Sequence, residues 1–370
     1  MRPVIYCVLA AATVLSQVSS AGHAQSGSTI ALTPTKVESS FLGKKKGKVA
    51  TDISGMACMP PDGARRACLL INDENTNAQF AMLEADRLIV GQPIELIGDE
   101  PDPSTVGAKP DIKCEVPGDF EDLDGEGVAY SEPYFYIVGS HGCSRKKGEF
   151  RLSSFILARV RVDRQGRPAD RNGNPLPADR LKESVETTYR VSDLLQRAGA
   201  AANFFGKDLN SENGLNIEGI AIGGETVWFG LRAPVDKEGN AFLVGGNTTD
   251  LFRPGHAASD ALPKVIPMHF DRLGIRDLAI LPDRRLIVLA GAAQGPEVAF
   301  KLFIVDTDSK TKTLLGQLPE VKQPVDGTLE IGKAEAITVL DATAGRARLM
   351  ILFDGLVNGA PHHTDIQISK

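Results

Sequence analysis

Little in this sequence points to a nucleic acid, a nucleotide or a zinc ion. Of its 370 residues, 41 are Lys or Arg against 47 Asp or Glu, giving a net charge of −6. Phosphate backbones are held by concentrated basic residues, so nucleic acid is excluded as the main partner. The one basic run, Lys44 to Lys46 with Lys48, is flanked by glycine and reads as a solvated loop. Gly43-Lys44-Lys45-Lys46-Gly47-Lys48 is one residue short of a P-loop and has no Ser or Thr after the Lys. No H-E-x-x-H, no CxxC and no Cys/His cluster with zinc spacing occurs. The nearest approach to a nucleophile elbow, Val138-Gly139-Ser140-His141-Gly142, has Val where the first glycine belongs. His256, His269, His362 and His363 show no metal spacing. Tryptophan occurs once, as Trp228 in Thr226-Val227-Trp228-Phe229-Gly230, a setting that suits strand packing better than a sugar platform.

Long apolar runs are equally scarce. One extends from Val4 to Val14, behind Arg2 and ahead of Ala21-Gly22-His23-Ala24-Gln25. A positive start, a short apolar stretch and small residues before a cleavage point describe a secretory signal peptide, residues 1–24. The run is too short for a stable membrane span. No second one follows, so residues 25–370 are expected as a single domain without a membrane anchor, in the periplasm or outside the cell. That part holds four cysteines, Cys58, Cys68, Cys114 and Cys143, and an even number in an exported chain predicts disulfides. Three connectivities exist. Cys58–Cys68, flanking a hairpin turn, with Cys114–Cys143 is the favoured one.

What the sequence does have is a repeat. Ser54-Gly55-Met56-Ala57-Cys58, Glu126-Gly127-Val128-Ala129-Tyr130, Glu218-Gly219-Ile220-Ala221-Ile222, Arg276-Asp277-Leu278-Ala279-Ile280 and Glu335-Ala336-Ile337-Thr338-Val339 align without gaps. Each opens on a polar residue and then alternates small and apolar residues with the period of a strand. Each is followed, after a turn, by a second β-rich run: 67–72, 134–139, 226–230, 285–290 and 348–353. Further strand-like runs follow in most units, at 79–83 and 87–96, 154–162 and 185–191, 241–244 and 265–270, 299–305 and 311–318. Four strands per unit repeated around an axis is a propeller blade.

The expectation is therefore an all-β, five-bladed propeller, with six blades and a β-sandwich as alternatives. The last unit offers only 365–369 as a further strand. Residues 29–37 from the N-terminal side would supply its fourth and close the ring, removing an open edge. The long second unit has room for one inserted helix from Ser192 to Gly199, with Leu194 and Leu195 inward. Small residues at the second and fourth motif positions fit inner strands crowded about the axis.

Antiparallel pairing brings the first motif residue and the end of the second strand to one end of the channel. This predicts a polar funnel of Glu126, Glu218, Glu335, Arg232, Arg276 and His141, with Asp73, Glu74 and Asp354 beside them as ligand-binding residues. Three readings of it stay open. Crowded carboxylates could bind Ca²⁺, with Asp122, Asp124 and Glu126 as ligands. The arginines could clamp an anion beside an acid/base residue. Or Glu and Arg could simply pair and stitch blades together. Asp119 to Glu126 carries five carboxylates and partly mimics a calcium loop, but Pro133 stands where a closing Glu would be.

Gly214-Leu215-Asn216-Ile217-Glu218-Gly219-Ile220-Ala221, followed by Trp228-Phe229-Gly230-Leu231-Arg232-Ala233-Pro234, resembles the signature of a family of exported bacterial proteins, domain of unknown function 3616. Gly274-Ile275-Arg276-Asp277-Leu278-Ala279 and Glu126-Gly127-Val128-Ala129 extend the resemblance. It implies a β-propeller. The E-G-hydrophobic-A strand is similar to that of phytase-like esterase propellers, some of them calcium-associated. The functional expectation is an exported propeller that hydrolyses an ester or phosphoester in its charged funnel. The alternative is a non-catalytic propeller that binds a small molecule or a protein there.

Overall fold

Alternating small and apolar residues make each of the five motif segments a strand, and each begins an antiparallel sheet. The computed structural model describes residues 28–44, 47–112, 114, 116–144, 148–295 and 298–368. The expected signal peptide lies outside the described residues. Blade one is built from Ile53–Cys58, Arg65–Asn72, Asn77–Glu84 and Arg87–Glu95. Blade two comprises Gly125–Ser131, Tyr134–Gly139, Leu157–Arg161 and Val185–Thr188. Blade three is Asn216–Gly223, Thr226–Ala233, Asn240–Asn247 and Lys264–His269; blade four is Gly274–Ile280, Leu286–Gly291, Lys301–Asp306 and Thr311–Gln317. Blade five has Lys333–Thr343, Arg346–Asp354 and His362–Gln367, with Thr33–Pro34 as its outermost strand.

The inner strands neighbour one another in blade order and back to the first, so the ring is a closed five-bladed propeller and not a sandwich. Five apolar clusters fill the five spaces between blades. The third motif position gives one residue to each cluster: Met56, Val128, Ile220, Leu278 and Ile337, all at most 2% exposed. Truncating any of them to Ala would cost about 2–5 kcal/mol, the transfer term plus the cavity left behind. The second position explains its own smallness. A Cβ on Gly55 would lie 2.9 Å from Val128 N, one on Gly127 3.0 Å from Glu218 O, and one on Gly219 2.8 Å from Leu278 N. Each is backbone of the next blade, which leaves no room for a side chain.

Ring closure follows the expected route and goes further. Thr33 and Pro34 pair with His363 and His362 of blade five. Just upstream Ile30 N donates to Gln317 O of blade four at 2.8 Å. Just downstream Lys36–Glu38 runs parallel to Arg87–Ile89 on the outer edge of blade one. One strap thus covers edges of three blades, including the seam where the chain's ends meet.

Several boundaries differ from the sequence reading, each for a local reason. The strand expected from residue 154 starts at Leu157, because Leu152–Phe155 forms a 3-10 turn closed by Ser154 Oγ on Arg151 O at 2.9 Å. The last strand is His362–Gln367, three residues earlier than expected at its start. The inserted helix is Val191–Leu195, with Leu194 and Leu195 buried as expected. It is not the sole helix. Single turns at Leu209–Glu212 and Thr248–Leu251 are capped by the side chains of Asp208 and Asn247, which accept backbone N–H bonds. Beside the inserted helix, Arg190 is 1% exposed and donates to the carbonyls of Ala257 at 3.1 Å and Gly255 at 2.7 Å, and also to Arg253 O. That one guanidinium fixes the course of the loop after Leu251.

Both favoured disulfides are present. Cys58 and Cys68 face each other across the first hairpin of blade one, and Cys114 is joined to Cys143.

Candidate functional site

In every inner strand the pairing with its neighbour breaks register beside the same motif position. The register shifts between Ile53 and Gly55, Gly125 and Gly127, Ile217 and Gly219, Ile275 and Asp277, and Ala334 and Ala336. The residue stepped over is Ser54, Glu126, Glu218, Arg276 or Glu335, the first motif position in all five blades. A bulge leaves its extra residue without a cross-strand partner and re-aims the side chain. All five are buried, between 1% and 7% exposed. The same register puts Ile53 opposite Asn72, Gly125 opposite Gly139, Asn216 opposite Ala233 and Lys333 opposite Asp354. The two expected sets of polar residues therefore meet at one end of the axis. The other end is narrow, a cavity of about 100 Å³ lined from all five inner strands by residues such as Ala129, Ile222 and Val339.

On blades three to five the charges neutralise one another. Arg232 Nη1 donates to Glu218 Oε1 at 2.9 Å, and its Nε to Ala293 O at 3.0 Å. Arg276 Nη2 donates to Glu335 and lies 3.7 Å from Glu218 Oε2. The chain Arg232–Glu218–Arg276–Glu335 ties three blades, with every member at most 8% exposed. Both arginines are committed to carboxylates, so neither is available as it stands to clamp an anion.

Asp277, which the sequence reading passed over, completes this part. It is the only charged residue at the second motif position, where the other blades carry Gly or Ala. Fully buried, it accepts from Leu278 N at 2.7 Å and, through Oδ2, from Ile337 N of blade five at 2.7 Å. Burial pushes its carboxyl well above the ordinary value, with Glu218 adding to the effect. The available signal was the exception itself: a carboxylate where packing demands a small residue.

Blades one, two and five form a different environment. Asp73 follows the second strand of blade one, and its Oδ1 is buried without a hydrogen-bond partner. Burial is the main cause that pushes its carboxyl up to about 8, and repulsion from Asp124, Asp354, Asp52 and Glu74 adds to it. Asp52 is raised in the same way, first by burial. Ser54 Oγ, on the adjoining bulge, is also buried and unpartnered. Asp354 pairs with Lys333 at 3.3 Å, and Asp124, at φ 48°, accepts from Ser140 Oγ. Glu74 is exposed.

The remaining expected residues are His141, Glu126 and Asp122. His141 is fully buried; Nδ1 contacts Gly139 O at 2.8 Å and its ring packs edge-on against Phe155. Burial lowers its pKa to about 4, so it stays neutral, and it makes no hydrogen bond to the arginine–glutamate chain. Glu126 occupies the blade-two place in the ring. Asp122 is spent on Arg151 at 3.3 Å and Lys44 at 3.6 Å. Asp122 and Asp124, expected with Glu126 as calcium ligands, are engaged in these contacts. Among the described residues no group of three or more metal-binding side chains is placed to hold an ion. Trp228 packs between blades three and four with Gly245 against its ring.

A family described as Protein of unknown function (DUF3616) matches residues 112–155 and 150–364. No curated protein matches the sequence. Among solved structures the chain is similar to a Kuenenia stuttgartiensis hydrazine synthase, at 11% identity and a TM-score of 0.33, over 85% of this chain and 66% of that one. An exo-beta-1,3-galactanase from Clostridium thermocellum aligns at 9% identity and a TM-score of 0.42, over 92% of this chain and 63% of that one. An alpha-L-arabinofuranosidase from Lactobacillus brevis aligns at 8% identity and 0.38, over 86% and 91%. The chain thus spans about two thirds of the length of the first two.

Proposed function

This chain belongs to the family described as Protein of unknown function (DUF3616), and we propose that it is an exported propeller that hydrolyses a small neutral ester at the polar end of its axis, with Asp73 as proton donor. The observation that carries this reading is the placement of Asp73. Its Oδ1 is buried without a partner, it follows the strand whose pairing breaks register at Ser54, and it keeps its proton to about pH 8. A carboxyl group that burial keeps protonated is suited to act as a general acid. Asp73 would give its proton to the leaving oxygen, while Asp124 or Asp354 takes one from the attacking water. A neutral ester is favoured over a phosphoester, since the acidic side repels an anion and Arg232 and Arg276 already face Glu218 and Glu335. The two disulfides suit an oxidising compartment.

The test is a panel of chromogenic neutral esters and phosphoesters with the unaltered protein and Asp73→Asn. Turnover of a neutral ester, lost in the variant while the fold persists, supports the reading; phosphoester turnover alone would overturn it. A second reading, ligand binding without turnover, is favoured by the internal neutralisation of Arg232 and Arg276. It predicts ligand-dependent thermal stabilisation with no product.

A further inference from the structure

Between blades four and five the chain makes a hairpin that belongs to neither. Lys322–Val325 pairs with Thr328–Ile331 through the turn Asp326-Gly327, whose φ values of 47° and 88° suit a two-residue hairpin turn. Gly332 N closes the base by donating to Val321 O at 2.9 Å. This sheet has only two strands, so both are edges. All four residues of Thr328–Ile331 are exposed, Leu329 at 63% and Ile331 at 52%. Among the described residues no backbone group pairs with their outer side.

The register decides which groups face outward. Pro324 stands opposite Leu329. Proline has no N–H, so it fits a ladder where the pair exchanges no hydrogen bonds. The turn agrees: Val325 and Thr328 close it as a bonded pair, and alternation makes Pro324–Leu329 the next, unbonded one. Leu329 therefore turns its N–H and C=O to the free edge, and so does Ile331, two residues on. The other edge of the hairpin is guarded by Lys322 and Pro324, whereas Thr328–Ile331 holds neither lysine nor proline. Blades one to three guard theirs. Lys36–Glu38 covers the edge of blade one, Val106 N donates to Thr187 O of blade two, and Pro267 interrupts that of blade three.

We infer that Thr328–Ile331 is a self-association edge, pairing antiparallel with the same strand of a second copy about a two-fold axis at Leu329. Such an axis must pass beside a residue whose N–H and C=O face out, which excludes Thr328 and Glu330. A centre at Ile331 would bring in Lys333, which is held opposite Asp354 in the ladder of blade five. Centred on Leu329, the pairing sets Leu329 against its copy, Thr328 against Glu330 and Ile331 beside Gly327. The two Glu330 carboxylates stay apart, so no like charges face each other. Four residues per copy bury far less than the ~1,200 Å² of a stable complex, so the dimer is weak. This surface does not depend on the proton chemistry of Asp73.

Sedimentation velocity of the unaltered protein should show dimer growing in between about 10 µM and 1 mM, as so small a contact implies. Leu329→Pro removes the central N–H without touching the hairpin's own ladder, and should leave the protein monomeric throughout. Cysteine cross-linking reads the register. At the two-fold centre the Leu329 Cα atoms lie about 5.5 Å apart, within disulfide reach, whereas those of Glu330 are roughly 8 Å apart on the other face. At equal concentration in a glutathione buffer, Leu329→Cys should give covalent dimer at least about tenfold faster than Glu330→Cys. If a variant fails to fold, sedimentation of the unaltered protein decides alone. A monomer across that range, dimerisation that Leu329→Pro leaves unchanged, or equal cross-linking rates would overturn the inference, even if the edge captured some other protein.

Discussion

Replacing Arg276 by methionine tests how the polar ring is held. Arg276 is 1% exposed and bonds Glu335 while lying 3.7 Å from Glu218. Methionine has about the right length but no charge, so Glu335 loses this guanidinium and Glu218 keeps that of Arg232 at 2.9 Å. Breaking a buried pair from one side costs about 3–5 kcal/mol, because the remaining carboxylate stays out of water uncompensated. For a chain of this length one kcal/mol corresponds to roughly 1.5 °C in Tm, so the expected fall is about 4–8 °C. Removing both charges in Arg276→Met with Glu335→Leu should recover at least half of it, since a buried pair and an apolar replacement are often of similar stability. Scanning calorimetry at pH 7 reads both. A single variant melting within about 1 °C of the parent, well under 1 kcal/mol, would refute the claim that Arg276 ties blades four and five.

Other parts of the fold make equally definite predictions. His141 is held near pKa 4, below its ordinary 6.5, so the unfolded chain takes up a proton that the folded one refuses. Stability should fall as pH drops from 6.5 towards 4, by up to about 3 kcal/mol, and His141→Phe should flatten that limb in denaturant titrations. Gly219→Ala places a methyl 2.8 Å from Leu278 N and should cost about 1–3 kcal/mol, visible as a lower denaturation midpoint. Arg190→Met should leave the blades intact but raise amide exchange from Asp250 to Ser259, because the carbonyls it fixes lie there.

The blade repeat was legible because crowding at the axis restricts residue choice directly. Only glycine fits where Gly55, Gly127 and Gly219 meet the next blade's backbone, and that restriction is written into the motif. The first motif position announced itself as polar, and all five of its residues do reach one end of the axis through bulges. Their division of labour was not legible. Whether Arg276 meets Glu335 or a ligand depends on the spacing of blades, which no local pattern encodes. The same holds for Asp73, whose retained proton reflects neighbours on blades two and five as well as its own burial. Asp277 could have been found, as the one charge among small residues. The two extra helical turns could have been found too, from Asp208 and Asn247 standing as caps.

The central claim is that Asp73 is a working proton donor at the polar end. The most direct measurement is the pH profile of neutral-ester hydrolysis by the unaltered protein and by Asp73→Asn, alongside melting curves. Because the folded-state pKa of Asp73 is raised from 3.8 to about 8, its stability contribution is complete below pH 3.8 and lost as pH rises through 8. Asp73→Asn should therefore be no less stable than the parent at pH 8. Hydrolysis by the parent should hold to about pH 8 and then decline as the donor loses its proton. The variant should be at least about a hundredfold slower below pH 8. Undiminished turnover by Asp73→Asn, or a parent profile with no break near pH 8, would contradict the account.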